Sequence, residues 1–66
     1  MPLKILRLPD VMDRVGLRSS FIYLLIQRGE FPKPVHLGKR AVGWPEAEVN
    51  NWLAERLTQR GERNHG

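Results

Sequence analysis

The chain has 66 residues, a formal net charge of +4 and no cysteine, which allows one domain and excludes disulfides, thiolate metal sites and a cysteine nucleophile. Its two histidines, His36 and His65, are isolated, and no nucleophile is paired with a base, so we expect no metal, no cofactor, no small-molecule substrate and no catalysis. No apolar run approaches the roughly 18 residues of a membrane span, and the N-terminal residues lack the apolar region of a signal peptide, so we expect a cytoplasmic protein without a membrane partner.

The first predicted elements are a short strand and a short helix. Residues 4–7 alternate apolar and basic side chains, as in an edge strand or an extended lead-in. Pro9 and Asp10 suit the first turn of a helix, because the N–H that proline lacks has no partner there and Asp10 faces the positive end of the helix dipole. Gly16 is predicted to end this helix, since glycine adopts the left-handed conformation without steric cost.

A second helix is predicted to begin at Arg18 or Ser19, where serine is the better N-cap, and to end at Arg28 and Gly29. Helical spacing gives it one buried stripe, formed by Ile22, Leu25 and Ile26. The opposite side carries Ser19, Ser20, Tyr23, Leu24 and Gln27. Two short helices joined by a tight turn predict a helix-turn-helix, whose second helix can enter a DNA major groove.

The next segment predicts a β-hairpin. Residues 31–34 (Phe-Pro-Lys-Pro) form an extended linker, because each proline forces extended geometry on the residue before it. Residues 35–37 and 41–44 are predicted strands around a turn made of Gly38, Lys39 and Arg40. The two cations at this turn favour phosphate contact, although an ordinary solvated turn is the alternative. The hairpin is therefore interpreted as the wing of a winged helix-turn-helix.

Pro45 is predicted to open a third helix, with Glu46 and Glu48 in its first turn. The apolar stripe of this helix is predicted to consist of Val49, Trp52, Leu53 and Leu57. Trp52 is expected to pack against the first two helices, and Trp44, where strand meets helix, is also interpreted as structural.

The fold class is thus predicted to be mainly α with a small β-hairpin: three helices plus a wing. Residues 59–66 are polar and unpatterned, so we expect a domain over residues 1–58 and a flexible tail over residues 59–66. Residues 1–43 contain eight Lys or Arg and three Asp or Glu, whereas residues 44–66 contain three and four. This asymmetry suits a protein that presents one face to a polyanion.

The sequence resembles the AlpA family of phage and mobile-element regulators in the order and spacing of four motifs: LRLPDV (6–11), GLRSSFIY (16–23), RGEFPKPV (28–35) and LGKRAVGW (37–44). Glu48-Val49 and Trp52-Leu53 extend the resemblance, which covers roughly residues 5–57. It implies a winged helix-turn-helix similar to that of MerR-type regulators and small excisionases. It also implies transcriptional control of mobile-element genes such as an integrase, or the role of an excisionase that bends attachment-site DNA.

Carried over by position, the resemblance implies that the second helix reads DNA through Arg18, Ser19, Ser20, Tyr23, Leu24 and Gln27, with Arg28 at its end. The implied wing contacts are Lys39 and Arg40, with His36 beside them. Many relatives carry basic residues at the positions of Ser19 and Leu24. Here an apolar Leu24 can meet either a thymine methyl group or a partner protein. The alternative to a DNA-binding function is therefore an inhibitor or adaptor that binds another protein through Leu24, Tyr23 and the third helix.

The predicted roles follow from side-chain chemistry. Arg18 can donate two hydrogen bonds to guanine or bind a phosphate, and Gln27 can pair with adenine. Ser19 and Ser20 suit phosphate, although one of them is expected to cap the helix. Tyr23 can bond a phosphate or pack on Phe21. The expected partner is double-stranded DNA, joined by an integrase or by further copies of the chain, because a single module buries only about 600–1,000 Å² on DNA.

Overall fold

The computed structural model describes the backbone of residues 3–63 and the side chains of residues 3–59. The elements in chain order are β1 (Ile5–Leu6), α1 (Leu8–Val15), α2 (Ser19–Gln27), β2 (Val35–His36), β3 (Val42–Pro45) and α3 (Glu46–Arg63). The predicted fold class is confirmed, since three helices accompany a small antiparallel sheet that contains the hairpin wing. None of the described helices is long and apolar enough to cross a membrane.

The turn between α1 and α2 depends on Gly16, as predicted. Its backbone has φ +72°, in the left-handed region, and its N–H donates to the Met12 carbonyl at 2.8 Å. Glycine adopts this conformation without the steric cost that a β-carbon brings. Gly16 therefore ends α1 and lets the chain reverse into α2.

The three strands form one sheet in the order β1-β3-β2, with both pairs antiparallel. The predicted edge strand is confirmed, because Leu6 of β1 lies opposite Trp44 of β3. Gly43 makes this pairing possible: a β-carbon there would lie 3.1 Å from the Leu6 carbonyl oxygen and would overlap the Ile5 side chain. The N-terminal strand thus packs directly against the hairpin.

The prediction that Pro45 opens the third helix is wrong. Pro45 is the last residue of β3, and α3 begins at Glu46. The Glu46 N–H donates to the Lys4 carbonyl at 2.8 Å, so the intervening pair of Ile5 and Pro45 occupies a non-hydrogen-bonded position of the ladder. Proline is tolerated there because no hydrogen bond between β1 and β3 requires an N–H at this position.

One small apolar core joins all three helices to the sheet. Its buried members are Leu6, Val11, Ile22, Leu25, Phe31, Trp44 and Val49. No polar or charged residue is buried among the side chains that the structure describes. The core therefore needs no internal polar partners beyond the Trp44 N–H, which donates to a backbone carbonyl.

The first half of α3 packs as predicted, but the second half does not. Val49 is buried and Leu53 is half-buried, whereas Leu57 is 58% exposed. An 18-residue helix is about 27 Å long, which exceeds the reach of this small core. The helix also continues to Arg63, into the predicted tail; residues 64–66 lie outside the described residues, and the boundary at residue 58 stays a prediction.

Trp52 is half-buried and packs against the apolar core, and its specific contacts are with the segment that follows α2. Its ring packs edge-to-face on Phe31, with 4.8 Å between the centroids, and its Nε1–H donates to the Glu30 carbonyl at 2.7 Å. The Arg56 guanidinium lies over the ring, 4.7 Å from the centroid. Trp52 thus anchors the segment that follows α2, because α3 runs beside that segment.

The left-handed conformation of Gly16 predicts a specific stability loss. Replacing Gly16→Ala should lower the free energy of unfolding by about 1 kcal/mol, because a β-carbon is strained at this φ even where space is free. Urea denaturation measures the change. The matched control is Gly38→Ala, where the added carbon also meets nothing within 4 Å and φ is not in the left-handed region. Equal losses in both variants would contradict the backbone explanation.

Candidate nucleic-acid interface

The helix α2 has one buried side and one exposed side, as its pattern predicts. Ile22 and Leu25 are buried in the core, and Ile26 is half-buried beside them. The residues that the sequence assigns to the DNA-facing side are exposed, apart from the half-buried Ser19; they are Ser20, Tyr23, Leu24 and Gln27. The core therefore fixes α2 with a row of exposed side chains on its outer side.

The first turn of α2 differs from the prediction. Arg18, not a serine, is the N-cap residue, and no side chain caps the helix. Arg18 has an extended backbone, with φ −77° and ψ 156°, so Ser19 and Ser20 are already inside the first helical turn. The expectation that one serine serves as the cap is wrong. The first-turn N–H groups, which lack partners within a helix, lie beside two hydroxyl groups that are not used for capping.

Tyr23 packs on Trp44 and not on Phe21. The Tyr23 and Trp44 rings have centroids 6.4 Å apart and an angle of 57° between their planes. Residues two apart on a helix point to different sides, which is why Phe21 is not the neighbour. Trp44 is fully buried, and its Nε1–H donates to the Pro32 carbonyl at 2.9 Å. These contacts connect α2, the linker after it and β3.

The wing is a short hairpin with an exposed basic tip. The Leu37 N–H donates to the Ala41 carbonyl at 2.7 Å, which closes the hairpin beyond β2 and β3. Gly38, Lys39 and Arg40 form the tip and are all exposed. His36 is exposed on β2, opposite Val42, and so lies along the hairpin away from its tip.

Strand β3 of the wing receives a hydrogen bond from a residue that the sequence did not assign to the site. The Arg7 Nε–H donates to the Val42 carbonyl at 3.0 Å, which ties the segment between β1 and α1 to β3. This bond adds to the pairing of β1 with β3 on that side of the hairpin. Arg7 therefore supports the wing by positioning its backbone.

The charged side chains of the described residues divide into two groups. Arg14 and Glu46 form an ion pair at 3.0 Å, the only one among residues 3–59, and Arg14 also donates to Asn50. The exposed cations on α2, the linker and the wing tip make no ion pair in that part of the chain; they are Arg18, Arg28, Lys33, Lys39 and Arg40. Their positive charge is thus available to a polyanion.

Negative charge collects elsewhere, in an open groove between residues 29–32 and α3. Phe31 and Trp52 contribute apolar surface to this groove, and three carboxylates line it: Glu30, Glu48 and Glu55. Arg56 is the one cation among its lining residues. No grouping of three or more His, Cys, Asp or Glu that could hold a metal ion occurs within the described residues.

Two exposed residues escaped the sequence analysis. Phe21 is 44% exposed and lies three residues before Leu24, so the two side chains are neighbours on the helix surface. The three-residue spacing between Phe21 and Leu24 was the sequence signal that could have identified Phe21. Lys33 stands exposed between Pro32 and Pro34 in the linker, where only its charge could have drawn attention.

Comparison with known proteins gives three matches. The family model described as Prophage CP4-57 regulatory protein (AlpA) matches residues 4–57. The chain is 47% identical over 57 residues to uncharacterized protein ORF88 of Enterobacteria phage P4, an alignment that covers 86% of this chain and 65% of that protein. It is 39% identical over 59 residues to the DNA-binding transcriptional activator AlpA of Escherichia coli (strain K12), which covers 80% of this chain and 84% of that protein. The chain therefore spans just under two thirds of the phage P4 protein's length.

Proposed function

The chain belongs to the AlpA family of prophage regulatory proteins, and from this premise we propose that it is a sequence-specific DNA-binding transcriptional regulator of a prophage or integrative element. Its targets in this proposal are integrase or excision genes. The observation that carries the proposal is that the core holds α2 in place with its outer side exposed. The basic tip of the hairpin, which follows α2 in the sequence, is exposed as well. The description of the Escherichia coli relative as a DNA-binding transcriptional activator supports the same function.

In this proposal α2 enters the major groove. An α-helix with its side chains is about 10–12 Å in diameter, which suits a groove about 12 Å wide. Arg18 at the start of α2 donates to guanine or to a phosphate, and Gln27 at its end pairs with adenine. Ser19 and Ser20 bind a phosphate together with the free N–H groups of the first turn. Arg28, exposed just after the helix, adds a further cation near the backbone of the duplex.

The wing contributes affinity without reading sequence. Lys39 and Arg40 are exposed at the tip and contact phosphates, while His36 lies further along the hairpin and contacts the sugar-phosphate backbone. Charge also sets the orientation of the chain on DNA. Because the groove lined by Glu30, Glu48 and Glu55 repels phosphate, α3 faces away from the duplex.

Because the domain is small, we expect it to bind DNA together with further copies of itself or with another protein. A single module of this kind buries about 600–1,000 Å² on DNA, which gives limited affinity and specificity. We propose that further copies bound side by side, or an integrase on the same DNA, complete the complex. This arrangement serves transcriptional control at a promoter and equally the shaping of attachment-site DNA by an excisionase.

Gel-shift titration against fragments of the neighbouring genome tests the function. The protein is titrated with competitor DNA at two salt concentrations. We expect a competitor-resistant shift on a small number of fragments, as one discrete complex at a promoter. A ladder of complexes beside an attachment site would instead identify an excisionase. No selective shift on any fragment, together with salt-resistant capture of a protein partner, would contradict DNA binding.

A separate prediction concerns the two cations at the tip of the wing. Replacing Lys39→Ala and Arg40→Ala together should weaken binding to all sequences and reduce the slope of log affinity against log salt by up to about 1.8, because each phosphate that is no longer neutralised lowers the slope by about 0.9. Binding to one specific and one random duplex, measured across a salt series, checks this. The control is Arg56→Ala, whose cation lies over Trp52 on α3. An unchanged slope in the double variant would remove the wing from the interface.

Arg18 is expected to read a base. Replacing Arg18→Ala should cost about 1–3 kcal/mol on the preferred site and relax the preference at one position, because the alanine cannot donate the pair of hydrogen bonds to guanine. Competition binding with single-base variants of the site measures both effects. A uniform loss of affinity on specific and random DNA would instead assign Arg18 to a phosphate.

A further inference from the structure

The outer side of α2 is unusually apolar for a surface that meets a polyanion. Phe21 is 44% exposed and Leu24 is 39% exposed, and the two lie on adjacent turns of the helix. The core does not use them, since Ile22 and Leu25 supply the buried side of α2. Neither Phe21 nor Leu24 belongs to the core or to the partly buried side chains that pack against it.

Leu24 stands in the middle of the row proposed to face DNA. Ser20 lies four residues before it and Gln27 three residues after it, so all three share one side of the helix. A leucine in this position offers no hydrogen bond to a base or a phosphate. The one apolar group that a base pair presents in the major groove is the C5-methyl group of thymine.

We propose that Leu24 is a specificity-determining residue, which selects an A·T pair by packing against the C5-methyl group of its thymine. Phe21, its neighbour on the helix, lies beside Leu24 and excludes water from the flank of the contact without touching the methyl group itself. The inference rests on the proposed function, because it applies only when α2 lies in the major groove. It adds the chemical group that is read and the side chain that reads it.

Removal of the methyl group alone tests this contact. Starting from a selected binding site, each thymine is replaced singly by deoxyuridine, which keeps the base pairing and lacks only the C5-methyl group. We expect one position where this replacement lowers affinity about fourfold, the value of burying a single methyl-sized group. At the same position, changing the pair to G·C should lower affinity at least as much.

A chemical double-mutant cycle assigns the effect to Leu24. In Leu24→Ala, thymine and deoxyuridine at the sensitive position should bind with equal affinity, because the partner of the methyl group is gone. The matched control is Leu57→Ala, which truncates another exposed leucine on α3 and should leave the fourfold difference intact. Thermal denaturation of both variants checks that neither substitution alters the fold.

The possible results separate the inference from the proposed function. Selective binding that no deoxyuridine substitution weakens would overturn the methyl contact and leave the proposed function standing. A thymine preference that persists in Leu24→Ala would also overturn it, since another side chain would then read the methyl group. No selective DNA binding by the unmodified protein would overturn both, and capture of a protein partner that Leu24→Ala abolishes would assign the apolar side to that partner.

Discussion

The buried indole of Trp44 holds the candidate interface together. It lies in β3, pairs with Leu6 of β1 across the sheet, and contacts the Tyr23 ring on α2. Its Nε1–H donates to the Pro32 carbonyl, so the large apolar ring is buried without leaving its one polar atom unpaired. In a domain with so small a core, a single side chain of this size determines how α2, the linker and the wing lie relative to one another.

Two tryptophan N–H groups, one from β3 and one from α3, donate hydrogen bonds to backbone carbonyls of the linker between α2 and β2. Trp44 binds the Pro32 carbonyl, and Trp52 on α3 binds the Glu30 carbonyl at 2.7 Å. Phe31, between these two carbonyls, is buried in the core and packs against the Trp52 ring. Contacts at residues 30–32 therefore hold this irregular segment against the core. These contacts restrain the position of the wing relative to α2, which favours the simultaneous contact with a groove and a phosphate backbone that the proposed function requires.

Local signals in the sequence were sufficient to predict the helices and strands, but not the contacts between residues that are far apart in the sequence. Gly16 alone marked the end of α1, and the spacing of Ile22 and Leu25 marked the buried side of α2. The strand position of Pro45 was not predictable locally, because it follows from pairing with Ile5 some forty residues away. The exposure of Leu57 likewise depends on how far the core extends along α3. The orientation of α2 could thus be predicted, whereas the contact that secures it, between Tyr23 and Trp44, required the folded chain.

The distribution of charged and apolar groups separates two components of DNA recognition. In the proposed complex, Arg28 and the wing cations contact phosphates, which gives attraction that salt weakens, while Arg18 reads a base. The middle of α2 carries no charge, and in the proposed complex its contribution depends on the fit of Leu24 and Gln27 to base edges, which salt affects little. Because the wing cations and the middle of α2 are different residues, and only Arg18 is expected to combine a charge with base reading, affinity and base preference can change largely independently in this proposal. In the proposed complex, substitution of Leu24 at the centre of α2 would change the base pair that the chain prefers, while the attraction to phosphates that comes from Lys39 and Arg40 would be kept.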